Sequence, residues 1–132
     1  MRAGRAPMMR PMELSWLAFE FSGDADGGGS FDAMAAAAPA QWPALQAEVL
    51  RVLDWAERRF GPAAALEEGG EWDYALHGVR EVATPLEVRY APGAAQLELQ
   101  AGQADPPRTT LTLTLSGTPA FCGAFRAHFA LD

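Results

Sequence analysis

The clearest periodicity in the chain runs from Gln41 to Phe60. At about 100° per residue, Trp42, Leu45, Val49, Val52, Leu53, Ala56 and Phe60 fall on one stripe, with Arg51, Asp54 and Arg58 opposite. Pro43 sits in the first turn, where its missing N–H costs nothing, and Gly61-Pro62 stops the run. The spacing predicts an amphipathic helix that needs an apolar surface to lie on.

Period-2 segments predict that surface. Leu14 to Phe21 alternates Leu17, Phe19 and Phe21 on one side, while Leu14, Trp16 and Ala18 make the other side apolar too. That reads as a first strand, interior to a sheet or covered twice. Ser22 to Ser30 is a glycine-rich loop, and Ala33 to Ala38 predicts a short helical piece before Pro39. After the acidic loop at Glu67 to Glu71, four alternating segments follow: Trp72-Tyr74-Leu76, Leu86-Val88-Tyr90, Leu97-Leu99 and Leu111-Leu113-Leu115. Thr84-Pro85, Ala91-Pro92-Gly93 and Asp105-Pro106-Pro107 separate them as turns, which predicts an antiparallel meander with one apolar and one polar face. Thr118 to Leu131 fits a helix, with Thr118 as N-cap and Pro119 at the first position, and also alternates as a strand would. The capping signal favours the helix.

The predicted order is β-α-β-β-β-β-α. It describes an α+β fold in which two helices pack on one face of a five-stranded, mostly antiparallel sheet. Length and a hydrophobic content of 49% in 132 residues suit one domain with a sizeable core, placed at 12–132. Residues 1–11, patternless with three arginines and two prolines, read as a disordered N-terminal extension.

Charge narrows the partners. The formal net charge is −7 and every one of the ten basic residues is arginine, a usage that, with the heavy Ala, Gly and Pro content, suggests a GC-rich bacterial coding sequence. Without residues 1–11, seven arginines face 17 acids, for a charge of −10. Such acidity argues against nucleic acid and against anionic membrane surfaces. No apolar run approaches the roughly 18 residues of a membrane span. The single cysteine allows no internal disulfide, and no paired cysteines offer a zinc site, which suits a reducing cytoplasm.

Candidate chemistry is sparse. Asp24, Asp26 and Asp32 resemble a calcium loop in spacing, yet position 12 of that loop is Ala35, where a bidentate glutamate is required. Cys122 shares a predicted helix side with Phe121 and Phe125, the setting of an inert core thiol. His128 belongs at the helix end, as a surface or C-terminal dipole partner. Asp73 and His77, with Glu71, Arg80 and Glu81 nearby and Glu87 and Arg89 on a neighbouring strand, form the densest titratable group. Asp73 and His77 are about 13 Å apart on a strand, too far for direct contact. No metal or cofactor is implied, and the chain lacks a nucleophile elbow, a phosphate loop, an HExxH pair and a dinucleotide fingerprint.

Trp55 lies beside the helical stripe, one turn from both Arg51 and Arg59, so a guanidinium can stack on the indole. Trp and Arg are also the residues enriched at binding hot spots. The sequence therefore favours a non-catalytic protein-interaction module, chaperone- or inhibitor-like in character and a candidate homodimer. Its binding candidates are Arg51, Trp55, Arg59, Trp72, Tyr74 and His77. A second reading is a binder of a small apolar or aromatic ligand, in a pocket between helix and sheet lined by Trp16, Phe19, Trp72 and Tyr74. An enzyme using His77 with Asp73 or Glu87 ranks last.

Overall fold

Helix α1 (Trp42–Phe60) forms where the apolar stripe requires it. Leu45, Val49, Val52 and Ala56 are buried, and Trp42, Leu53 and Phe60 pack against the same core. Gly61 ends the helix at φ 88°, a backbone angle that favours glycine, and its N–H donates to the Glu57 carbonyl at 2.8 Å. At the other end the Gln41 side-chain oxygen accepts the Ala38 N–H at 2.9 Å. The computed structural model containing this helix describes residues 13–131, so the expected disordered extension over 1–11 lies outside the described residues.

The other elements are β1 (Glu20–Gly23), β2 (Gly29–Ala37), β3 (Trp72–Glu81), β4 (Leu86–Ala91), β5 (Gln96–Ala101), β6 (Arg108–Gly117) and α2 (Pro119–His128). The fold is α+β with antiparallel strands, as the sequence predicts, but the strands divide into a four-stranded sheet of order β1-β2-β6-β3 and a separate β4-β5 pair. Both helices contribute to one core on one face of the larger sheet, with Phe31, Ala33, Leu111, Leu113 and Leu115 beneath them. Among the described residues no helix is long and apolar enough to cross a membrane.

Three sequence expectations fail for identifiable reasons. The first predicted strand shrinks to Glu20–Gly23 because the backbone before it has another partner. The N–H groups of Ser15, Trp16 and Leu17 donate to the Glu48 carboxylate of α1 at 2.7–2.8 Å, in place of a neighbouring strand. Leu17 is buried, while Leu14, Trp16 and Phe19 pack on the core, which accounts for apolar residues at both parities.

The alanine-rich stretch expected as helix is strand β2, paired with β6 from Gly29↔Gly117 to Ala37↔Thr109. Phe31, Ala33, Ala35 and Ala37 face the core at period two, and Asp32 and Met34 face outward. Alanine has high helix propensity, but pairing and burial override it here. The small side chains also let α1 approach this strand closely.

The meander fails at its ends. β3 pairs with β6, from Trp72↔Gly117 to Glu81↔Arg108, and β4 pairs only with β5. Pro85, Pro106 and Pro107 carry no N–H and break the ladder beyond Glu81. Among the described residues, the bonds from Gly102 N–H to the Pro85 carbonyl and from Asp105 N–H to the Ala83 carbonyl, both 2.8 Å, bridge the two chain segments that run between the ladders. β4 and β5 therefore prolong the β3–β6 ribbon as an arm.

The ambiguous C-terminal segment is helical. Thr118 caps α2 by accepting the Phe121 N–H, and its own hydroxyl donates to Glu71 at 2.9 Å. Phe121, Phe125 and Phe129 are buried, and Phe125 contacts Phe31 and Phe19 at 4.7 and 5.3 Å between ring centroids. Gly117 sits directly beneath Phe121, and a Cβ there would overlap the ring.

Candidate functional site

The arm carries the most conspicuous unsatisfied surface. Opposed residues of an antiparallel pair lie on the same face, so the register Leu86↔Ala101, Val88↔Leu99 and Tyr90↔Leu97 places every large apolar residue of the arm on one side. Glu87↔Gln100, Arg89↔Glu98 and Ala91↔Gln96 take the other. Nothing in the described chain covers the apolar side: Tyr90 is 72% exposed and Leu99 63%, and Leu86, Val88 and Leu97 are each more than half exposed. At the arm's base, Val82, Ala83, Pro106 and Pro107 line a cleft of about 500 Å³ with Glu81 and Arg108. The sequence pattern identifies these positions as apolar strand faces, but the meander assigns them to the core. The prolines bracketing the hairpin are the signal that separates it from the sheet.

The arm's edges are also open. Pro85 and Gly102 are opposed and share a hydrogen bond, so bonded pairs recur at alternate positions, at Glu87↔Gln100 and Arg89↔Glu98. The N–H and C=O groups of Leu86, Val88 and Tyr90 consequently point away from β5, along the free edge of β4. Glu87 and Arg89, both well exposed, form an ion pair at 3.8 Å.

Trp55 occupies a different position from the one its flanking arginines suggest. Its half-buried ring lies between the helices, 5.6–6.2 Å from the rings of Phe60, Phe121, Phe125 and Phe129. The ring stacked on it is that of His128, at 5.0 Å and 19°. Arg51 and Arg59 are exposed, and the Arg59 guanidinium lies 4.8 Å from the centre of the Phe60 ring. The helical stripe alone gives Trp55 no core role; the docking of α2 against this flank of α1 supplies one.

Trp72 and Tyr74 differ in burial but stack on each other and line one shallow cleft. Trp72 is buried, stacked on Phe121 at 5.9 Å and 9°, and its indole N–H donates to the Gly61 carbonyl at 2.8 Å. Tyr74 stacks on Trp72 at 5.8 Å and is half exposed, at the edge of a shallow cleft with Leu53, Asp54, Glu57 and Ala63. Phe19 lines a separate cleft with Glu20, Asp32, Met34 and Thr112. The expected lining of one helix–sheet pocket is thus distributed over two surfaces.

His77 projects from the open face of the sheet opposite Thr112, with Asp73 opposite Ser116. Glu87 and Arg89 do not join them, since β4 pairs with β5 and not with β3. The Asp24 loop is a tight turn between β1 and β2. Asp24 accepts the Asp26 N–H on its side chain at 3.0 Å, and Gly27 takes φ 93°. Asp32 accepts a 2.6 Å bond from Thr114 on the open face, while Ala35 faces the core. Among the described residues, no group of three or more His, Cys, Asp or Glu side chains is placed to hold a metal ion.

Cys122 is buried beneath α2, its thiol 3.5 Å from the Gly117 carbonyl. Burial pushes the thiol above its ordinary pKa, and the Asp24 charge adds to that, against smaller opposing pulls from the Arg126 charge and a backbone hydrogen bond at Gly29. A thiol held protonated in this way is a poor nucleophile.

Comparison with protein-family models, with curated proteins and with solved structures finds no match to this chain.

Proposed function

We propose that this chain is a non-catalytic protein-interaction module whose working surface is the β4–β5 arm. One observation carries the reading: Leu86, Val88, Tyr90, Leu97 and Leu99 share a single face that the rest of the described fold leaves uncovered. Contiguous exposed apolar surface of this kind marks interaction sites on water-soluble domains, and Tyr is among the residues enriched at interface cores. The acidic charge steers the module toward proteins and away from nucleic acid and anionic lipid. A single cysteine, which allows no internal disulfide, is compatible with a reducing compartment, and we place the module in the cytoplasm.

The test is affinity capture from the native cells, with a differently tagged second copy of the chain among the candidates. Wild type is compared with the Tyr90→Ser, Leu97→Ser, Leu99→Ser triple variant, whose body should melt unchanged. Proteins recovered by wild type and lost by the variant support the reading. Equal recovery from both contradicts it.

A further inference from the structure

The arm is short of strands. A two-stranded hairpin standing in water is marginally stable, whereas three or more strands sharing a hydrophobic face are not. The β4–β5 ribbon has such a face, six residues long on each strand, but only two strands. What it lacks is further strands, and its free β4 edge offers the backbone groups to bind them.

The β4 sequence matches itself. In an antiparallel pairing of two β4 strands centred on Val88, Leu86 lies opposite Tyr90 of the second copy, and Glu87 lies opposite Arg89 of the second copy. Both oppositions recur by symmetry. The outward-pointing groups of Leu86, Val88 and Tyr90 are those that form the hydrogen-bonded positions of such a ladder, each pair exchanging both N–H···O bonds. Glu87 and Arg89 then fall at the non-hydrogen-bonded positions, where Cα atoms approach to about 4.5 Å and side chains interact most closely. The ion pair they form within one strand at 3.8 Å is re-formed between strands. The β5 edge has no such complementarity: centring on Glu98 sets like charges against each other, and centring on Leu99 sets Glu98 against the neutral Gln100.

We infer that the partner of the arm is a second copy of this chain, joined β4 to β4 about a two-fold axis through Val88. The product is a four-stranded sheet of order β5-β4-β4-β5 with both apolar faces on the same side, an isologous interface in which one patch serves both subunits. The inference rests on the reading of the arm as an interaction surface and adds the identity and register of the partner at its β4 edge, where the two apolar faces join into one wider face.

The register makes the test a matter of charge. The full chain, of 14.1 kDa, is followed by sedimentation velocity as a function of concentration. Wild type should run as a dimer. Glu87→Arg sets arginine against Arg89 of the second copy, and Arg89→Glu with Glu98→Gln sets glutamate against Glu87. Because each repulsion occurs twice, either variant should dissociate at about tenfold lower dilution or more. Mixing the two variants places opposite charges at every position and should restore the dimer. Val88→Cys in a Cys122→Ser background should give a covalent dimer on mild oxidation, since cysteines about 5.5 Å apart across the axis can bridge.

A wild type that stays monomeric overturns the inference, as does a dimer indifferent to the charges at 87 and 89 or a mixture that fails to associate. The interaction-module reading fails separately, when the serine substitutions on the apolar face change no captured protein.

Discussion

Glu48 Oε2 accepts the Leu17 N–H at 2.7 Å and the Trp16 N–H at 2.8 Å, while its other oxygen takes the Ser15 N–H at 2.8 Å. A buried carboxylate on the apolar stripe of α1 thus does for one extended segment what a neighbouring strand does for others: it satisfies backbone donors away from water. It also holds Leu17 in the core and fixes where the chain enters β1. Bonds to a charged acceptor are the stronger kind.

Glu48→Ala should therefore cost about 3 kcal/mol in denaturant unfolding, since it leaves several donors unpaired at once. Glu48→Gln retains the shape but turns an NH₂ group toward N–H donors, and should lose a substantial part of the same amount. Limited proteolysis should cut the released stretch between Leu14 and Phe19 in Glu48→Ala and spare it in wild type. A loss below about 1 kcal/mol for Glu48→Ala, with no new cleavage, would show the carboxylate to be incidental.

The stacking of His128 on Trp55 makes a stability prediction for a residue that the sequence marks as a binding candidate. Trp55→Ala removes a ring set among Phe60, Phe121, Phe125 and Phe129, and should cost about 3 kcal/mol. Arg51→Ala and Arg59→Ala, at exposed positions, should each stay within about 0.5 kcal/mol. A Trp55→Ala variant as stable as wild type but defective in partner capture would transfer the functional surface from the arm to this flank of α1.

Cys122 links burial to alkaline stability. Its thiol is raised chiefly by desolvation, so the unfolded chain ionises before the folded one. The stabilisation is complete below the unfolded thiol's pKa and is lost as pH rises toward and through the higher folded value. Melting curves from about pH 7 to about pH 10 should fall more steeply for wild type than for Cys122→Ala, and alkylation of the native protein should proceed only as fast as it opens. Parallel curves, or rapid labelling at neutral pH, would contradict this assignment.

Much of the fold is written in local pattern. The stripe of α1, its glycine stop, the Thr118 cap of α2 and the alternation in β3 to β6 are all short-range signals, and each element lies close to where its pattern places it. Pairing partners are long-range properties. Alternation in Leu86-Val88-Tyr90 fixes a strand with one apolar face but says nothing about which surface covers that face. Period reading also fails where propensity and pairing conflict, as in β2, whose alanines look helical until Phe31, Ala33, Ala35 and Ala37 are seen to share a buried face. Glu48 was legible in one respect: it lies three residues after Leu45 and four before Val52, on the stripe itself. An acid there signals a specific buried acceptor role, but its partners lie more than 30 residues away in the chain.

The β4 edge offers the most direct measurement. Amide hydrogen exchange is followed for Leu86, Val88 and Tyr90, whose N–H groups find no partner among the described residues of one copy, at protein concentrations spanning the dimer's dissociation. Pairing of two β4 strands predicts that these three amides slow together by an order of magnitude or more as concentration rises, while those of Glu87 and Arg89, already bonded to β5, change far less. Exchange of Leu86, Val88 and Tyr90 at the free rate at every concentration would contradict the account.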